Sequence, residues 1–154
     1  MHVVDELTPF TCGLACIESL TTDFQVSITQ AQLLVKYKKE LIADVRDYGD
    51  FGSTSSQLLK AIWTDLGFSG DWQKDHRKVE VRELAFKKLQ ANQTIFIISN
   101  YQKNGWHCVR FAGLKDDDTV FAMVPVFGLL PSTVEEISIQ NLIDWDYSFA
   151  VISR

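Results

Sequence analysis

The sequence lacks a long apolar run and any surplus of positive charge. No apolar stretch approaches the roughly 20 residues that a membrane-spanning helix needs. The net charge is -5, with a pI of about 5.1, whereas nucleic-acid-binding domains usually carry a basic surplus. The first residues, MHVVDELTPF, show no basic region followed by an apolar stretch, so no secretory signal is predicted. We therefore expect a cytoplasmic location, no membrane segment in this chain and no nucleic-acid partner.

Motifs for disulfides, metals and nucleotides are also missing. The three cysteines are an odd number, which does not indicate a disulfide framework. There is no CxxC pair and no His/Cys cluster with the spacing of zinc ligands. The glycines of DYGDFGSTS lack the lysine of a phosphate-binding loop. The sequence thus predicts no metal and no cofactor.

The length and composition indicate one domain. A chain of 154 residues with 46% hydrophobic residues, including ten Phe and four Trp, can fill a single hydrophobic core. No internal repeat, low-complexity tract or linker divides it. We expect one domain over residues 1–154, and the sequence does not decide its oligomeric state.

The apolar pattern changes from helical to strand-like along the chain. Helical periodicity predicts helices from Cys12 to about Leu20 and within the stretches 26–41, 52–68 and 79–93. Short β-branched and aromatic runs predict strands at 94–99, 106–114, 120–127 and 147–153, with a short helix or turn at 138–143. This segregation predicts an α+β domain in which a helical layer packs on an antiparallel sheet.

Cys12 stands where a helix is predicted to begin, after the loop LTPF and the predicted N-cap residue Thr11. The thiolate is the nucleophilic form of cysteine, and its pKa falls at a helix N-terminus. Backbone N–H groups there can donate to an oxyanion, and Gly13 would let a substrate backbone approach closely. Cys12 is therefore a candidate nucleophile, although buried cysteines are more often small core residues. That second interpretation is the one we favour for Cys16 and Cys108.

A nucleophilic cysteine needs a base, and His107 is the best placed of the three histidines. It lies in the first half of a predicted strand, behind a Gly105–Trp106 turn that could open it to a cleft. A histidine in a strand is more often a hydrogen-bonded structural residue. His2 and His76 are predicted to be solvated surface residues. The candidate catalytic pair is therefore Cys12 and His107.

The order of these motifs resembles the papain-like cysteine peptidases of the bacteriocin-processing family, which cut double-glycine leader peptides. In that family a Cys–Gly pair opens the first long helix, as in TCGLACIESL, and a turn-and-helix unit follows, as in GSTSSQLLKAIWTDLGF. A helix and buried strand then precede a strand that starts with histidine, as in LAFKKLQANQTIFIIS and WHCVRFAGLKDDDTVFAMV. The resemblance covers nearly the whole chain. It implies a papain-like fold with Cys12 as nucleophile and His107 as general base.

The chain departs from the family pattern at two positions. The family carries an Asp or Asn before a proline to orient the imidazole, but AMVPVFG has Val124 there, which cannot bond the ring. It also places an oxyanion-donating glutamine about six residues before the cysteine, where this chain has Glu6. A carboxylate cannot donate a hydrogen bond unless it is protonated. Alternative orienting residues lie on nearby turns, with the acidic trio expected to be too distant: Asn100, Asn104, Asp116, Asp117 and Asp118.

Three functions are open from the sequence. The first is a thiol hydrolase, most directly a cysteine peptidase, in which Cys12 attacks a peptide or related acyl carbonyl with help from His107. The second is a catalytically degenerate papain-like domain that binds an extended peptide, which Val124 and Glu6 would favour. The third is acyl transfer or deamidation by a toxin-type effector that uses the same two residues. Each implies a peptide or protein as the partner.

Overall fold

The computed structural model describes residues 1–9, 11–48, 54–73, 79–103 and 105–154. The helices within these residues are α1 (Cys12–Asp23), α2 (Gln30–Lys36), α3 (Lys38–Tyr48), α4 (Ser56–Asp65), α5 (Val79–Lys87) and α6 (Ile139–Asp144). The strands are β1 (Trp72–Gln73), β2 (Gln93–Asn100), β3 (Trp106–Leu114), β4 (Thr119–Val124), β5 (Thr133–Ser138) and β6 (Tyr147–Ser153). The predicted α+β class is confirmed. None of the helices in the described ranges is long and apolar enough to cross a membrane.

The six strands form one antiparallel sheet in the order β1-β6-β2-β3-β4-β5. The predicted hairpin of β3 and β4 is present, with a register shift between Phe111 and Gly113. β4 ends at Val124, three residues earlier than the predicted strand. The next residue is Pro125, which has no N–H to continue the ladder of hydrogen bonds.

The structure differs from the predicted elements at three other places. The helix predicted within 26–41 is two helices, α2 and α3, because Tyr37 ends α2 with a φ of -108°. The Tyr37 hydroxyl donates to Asp65 at the end of α4. Two strands were not predicted: β1 has only two residues, and Ile137 is the only buried residue of β5. Neither segment carries the apolar alternation by which strands are predicted.

Alternate strand residues contribute to two hydrophobic clusters, as the period of a pleated strand requires. The first cluster joins the sheet to α1, α2 and α4 through Phe96, Cys108, Met123, Ala150 and Ile152. The second joins it to α5 and α6 through Ile97, Val109, Ala122, Val124 and Phe149. The predicted helical layer is therefore the first of two sets of helices, which pack against opposite faces of the sheet.

The buried side chain of Arg110 fixes α1 to the sheet. Its Nε donates to Thr94 Oγ1 on β2 at 2.9 Å, and its Nη1 donates to Ser19 Oγ on α1 at 2.8 Å. Nη1 also forms an ion pair with Asp23, the last residue of α1. A buried charge is stable only when it is paired and hydrogen-bonded. The network holds the C-terminal half of α1 along β3, which leaves Cys12 beside the start of that strand.

Candidate active site

The loop before α1 is held by hydrogen bonds between Thr8 and Thr11. Thr11 occupies the N-cap position, as predicted, but its hydroxyl does not cap the helix. Instead it accepts from the Thr8 N–H and donates to the Thr8 carbonyl oxygen, both at 3.1 Å. The partial positive charge of the helix N-terminus therefore lies beside Cys12 without a competing oxygen from Thr11.

Cys12 is the first residue of α1 and is only 1% exposed. Its Sγ accepts a hydrogen bond from the Cys108 N–H at 3.4 Å. One turn further along α1, the Cys16 thiol donates to the Cys108 carbonyl oxygen at 3.5 Å. Cys16 and Cys108 lie in the core, as predicted, and all three cysteines are free thiols.

Burial raises the pKa of the Cys12 thiol above its ordinary value, and the proximity of Cys108 and Glu6 raises it further. The backbone N–H groups of Cys108 and Gly13 act in the opposite direction. The helix N-terminus led us to expect a lowered pKa, but loss of hydration outweighs it here. The resting thiol is therefore protonated at neutral pH.

His107 is the second residue of β3, and the structure brings its ring to Cys12. A ring nitrogen of His107, Sγ of Cys12 and a carboxyl oxygen of Glu6 all lie within 4.8 Å of one another. Nε2 lies 2.8 Å from the carbonyl oxygen of Pro125. Because a carbonyl only accepts, Nε2 carries the proton and the lone pair of the neutral ring is on Nδ1. Burial lowers the pKa of His107, against the raising effects of the Pro125 hydrogen bond and of Glu135.

The group behind the His107 ring is thus a main-chain carbonyl. Val124, at the position that the resemblance gives to an orienting Asp or Asn, is buried in the second cluster and 4% exposed. Pro125, the residue after β4, supplies the acceptor instead. The sequence could not reveal it, because every residue carries a carbonyl. The only signal was a proline that would end the strand.

The other orienting residues considered from the sequence have different surroundings. Asn100 accepts from the Gly105 N–H at 3.1 Å and so closes the turn before His107. Asp117 pairs with Lys87 at 3.0 Å. Asn104, like His76, lies outside the residues that the structure describes. His2 is exposed, as predicted.

Glu6 lies inside the site, at the position where the resemblance expects an oxyanion-donating glutamine. It is 8% exposed, and its backbone N–H donates to the Val126 carbonyl oxygen at 3.1 Å. Its Oε1 lies 3.8 Å from Nε2 of His107. Among the described residues no hydrogen bond reaches its carboxyl group, and burial raises its pKa to about 7. Glu6 therefore faces both members of the candidate pair.

Gly13 has a packing role and does not open the site. A Cβ atom on Gly13 would lie 2.6 Å from Cδ2 of Leu59 on α4. The expectation that Gly13 makes room for a substrate backbone is therefore wrong. Its missing side chain lets α1 pack closely on α4.

Tyr101 lines the other side of the His107 ring. The two ring centroids are 6.1 Å apart, and the Tyr101 hydroxyl donates to Glu135. Burial and this hydrogen bond raise the pKa of Tyr101 to about 12. The His107 side chain is 23% exposed, so the imidazole is the member of the cluster that reaches the surface.

A thiol, an imidazole and a carboxyl group can together transfer protons, perform nucleophilic attack or bind a metal ion. A scan against protein-family models and a search of curated proteins matched nothing. The functional interpretation therefore rests on the geometry of this site and on the motifs of the sequence.

Proposed function

We propose that this chain is a thiol hydrolase with a papain-like fold, most directly a cysteine peptidase, with Cys12 as nucleophile and His107 as general base. The observation that carries the proposal is the convergence of Cys12 Sγ and a His107 ring nitrogen within 4.8 Å. The two residues are 95 positions apart in the chain. The Pro125 carbonyl behind the ring is the third part of the arrangement and fixes the tautomer that a base requires.

Because the thiol and the imidazole are both neutral at rest, proton transfer accompanies attack. Nδ1 of His107 takes the Cys12 proton as Sγ bonds to the acyl carbon, and the carbonyl oxygen becomes an oxyanion. The imidazolium keeps its Nε2–H hydrogen bond to Pro125. It then gives its new proton to the leaving amine as the C–N bond breaks, which leaves a thioester. Water, deprotonated by His107, hydrolyses the thioester and restores the thiol.

The N–H groups at the start of α1 stabilise the oxyanion by donating hydrogen bonds to it. Ionised Glu6 acts against this stabilisation, since a negative charge beside the site repels both a thiolate and an oxyanion. The charge of Glu6 already contributes to the raised pKa of Cys12. We therefore propose that Glu6 restrains the reactivity of the thiol.

A domain that binds an extended peptide without cutting it is the second candidate. The observation that favours it is the burial of Cys12, which is 1% exposed with a raised pKa. Transamidation and deamidation belong to the first candidate, because they pass through a covalent intermediate on the same thiol.

Turnover of a peptide library, followed by mass spectrometry, tests the proposal. We expect cleavage products with the wild-type chain and with Cys16→Ala, a control thiol in the same helix, and none with Cys12→Ala. New amide products on addition of a primary amine would identify acyl transfer. Peptides that are retained but never cut would favour the binding domain, and cleavage by Cys12→Ala would exclude Cys12 as nucleophile.

A further inference from the structure

We propose that Glu6, Cys12 and His107 form a binding site for one divalent metal ion of the zinc type, and that the bound ion blocks the thiol. The site itself follows from the positions of three side chains and does not depend on the hydrolase. Only its inhibitory effect rests on the proposed function.

The distances are close to those of a three-ligand metal site. Zinc bonds of about 2.0 to 2.3 Å in a tetrahedral site place ligand atoms about 3.3 to 3.6 Å apart. The three ligand atoms here, one from each residue, lie within 4.8 Å of one another. Side-chain movements of roughly 1 Å would therefore bring the three ligand atoms to the separations of a zinc site. The ligands come from the loop before α1, from α1 itself and from β3.

The ring of His107 is held as a metal ligand requires. Metal-binding histidines almost always donate their second ring N–H to a carbonyl or carboxylate, which fixes the tautomer. Nε2 of His107 makes such a bond to Pro125, so Nδ1 keeps a lone pair for the ion. The carbonyl of Pro125 thus serves the metal site in the same way as it serves the base.

Glu6 supplies the observation that points to a missing partner. Its side chain is 4% exposed, and no hydrogen bond from a described residue satisfies its carboxyl group. A buried carboxylate without a hydrogen-bond donor is costly, and a bound divalent cation would offset that cost. Loss of the Cys12 proton and of any proton on Glu6 gives two anionic ligands that balance the two positive charges of the ion.

The ligand set also selects the class of ion. A thiolate with an imidazole and a carboxylate suits zinc and its first-row neighbours, whereas Mg²⁺ and Ca²⁺ prefer oxygen ligands. Three protein ligands leave a fourth position open. His107 is the partly exposed member of the site, so an ion or a water molecule would reach the open position past its ring.

The site can be tested without any substrate by measuring the binding of Co²⁺ and Zn²⁺ to the full chain. The chain is first reduced and freed of metal with a chelator. We expect Co²⁺ to give a near-ultraviolet thiolate charge-transfer band that saturates at one equivalent, Zn²⁺ to remove the band, and both ions to raise the melting temperature. Glu6→Gln and His107→Ala should each weaken binding about tenfold or more. Cys12→Ser should abolish the band, while the control Cys16→Ala should keep it.

Several results would overturn the inference. These are the absence of one-to-one binding, a band that survives Cys12→Ser, a band lost in Cys16→Ala, or unchanged affinity in Glu6→Gln. The outcome is separable from the proposed function. Peptide cleavage without metal binding would remove the metal site alone, whereas metal binding without cleavage would remove the hydrolase and its inhibition but keep the site.

Discussion

Nε2 of His107 donates a hydrogen bond to the carbonyl oxygen of Pro125 over 2.8 Å. A main-chain atom thus supplies the acceptor for which no side chain is present at position 124. Val124 is free to serve as a core residue, buried in the cluster between the sheet and helices α5 and α6. The His107 ring is therefore oriented without the Asp or Asn that the resemblance expects at position 124.

Introducing an Asn at position 124 should not improve the site. Val124→Asn buries an amide among apolar neighbours and should lower the free energy of unfolding by about 2 to 4 kcal/mol. The rate of Cys12 alkylation should not rise, because His107 already has its acceptor. Denaturant unfolding and mass-mapped alkylation measure the two effects, with Val124→Ala as the control for lost packing. A faster reaction at Cys12 in Val124→Asn would show that the Pro125 carbonyl is not enough.

Neutralising Glu6 should make the thiol more reactive. The charge of Glu6 is one of the causes that raise the pKa of Cys12. In Glu6→Gln, alkylation of Cys12 at pH 8 in chelating buffer should therefore be faster than in the wild type. Glu136→Gln is the matched control, because Glu136 is exposed and pairs with Lys115. An unchanged or slower rate in Glu6→Gln would contradict the restraining role of Glu6.

The titration of Glu6 should also appear in the pH dependence of stability. Burial raises its pKa from 4.5 to about 7 in the folded chain, so between these values the folded state holds a proton that the unfolded state has lost. The protonated Glu6 carboxyl group therefore contributes its full stabilisation below pH 4.5. This contribution declines between pH 4.5 and about 7 and is constant at higher pH. Unfolding free energies from pH 4 to 9, measured with a chelator present, should show a decline that Glu6→Gln lacks. Parallel profiles for the two proteins would mean that Glu6 titrates normally.

Gly13 should be required for packing between α1 and α4. Gly13→Ala places a Cβ atom against Leu59, 2.6 Å from its Cδ2. We expect a net loss of about 1 to 2 kcal/mol in unfolding free energy, since the better helix propensity of Ala offsets part of the clash. In a Leu59→Ala background the same change should cost nothing or stabilise, which a double-mutant cycle would measure. If Gly13→Ala lowers the unfolding free energy equally in the wild-type and Leu59→Ala backgrounds, contact with Leu59 is not the cause of the loss.

The sequence predicted what depends on local pattern. The start of α1 at Cys12, the short helix or turn at 138–143, the hairpin of β3 and β4 and the α+β class all follow from caps, periodicity and segregation of elements. β5 was missed because TVEEIS has a single buried residue, Ile137. The break at Tyr37 was missed because its cause includes a partner 28 positions away.

The site was predictable only in part. The motif order paired Cys12 with His107 and aligned Glu6 with the family's oxyanion glutamine, but it did not predict the buried Glu6 carboxyl group beside the ring or the Pro125 carbonyl as its acceptor. Both follow from the backbone contact between Glu6 and Val126, which only the folded chain brings together. The same holds for the proposed metal site, since positions 6, 12 and 107 form no spacing motif. The burial of Cys12 and its raised pKa likewise depend on neighbours from β3.

One measurement tests most directly whether Cys12 and His107 act as a pair. It is the alkylation rate of each of the three thiols with iodoacetamide at neutral pH, in the wild type and in His107→Ala. We expect wild-type Cys12 to react about tenfold or more faster than Cys16 and Cys108, and His107→Ala to remove this advantage, since a general base contributes about 100-fold or more. Cys12 reacting no faster than Cys108, or equally fast without the imidazole, would contradict this expectation.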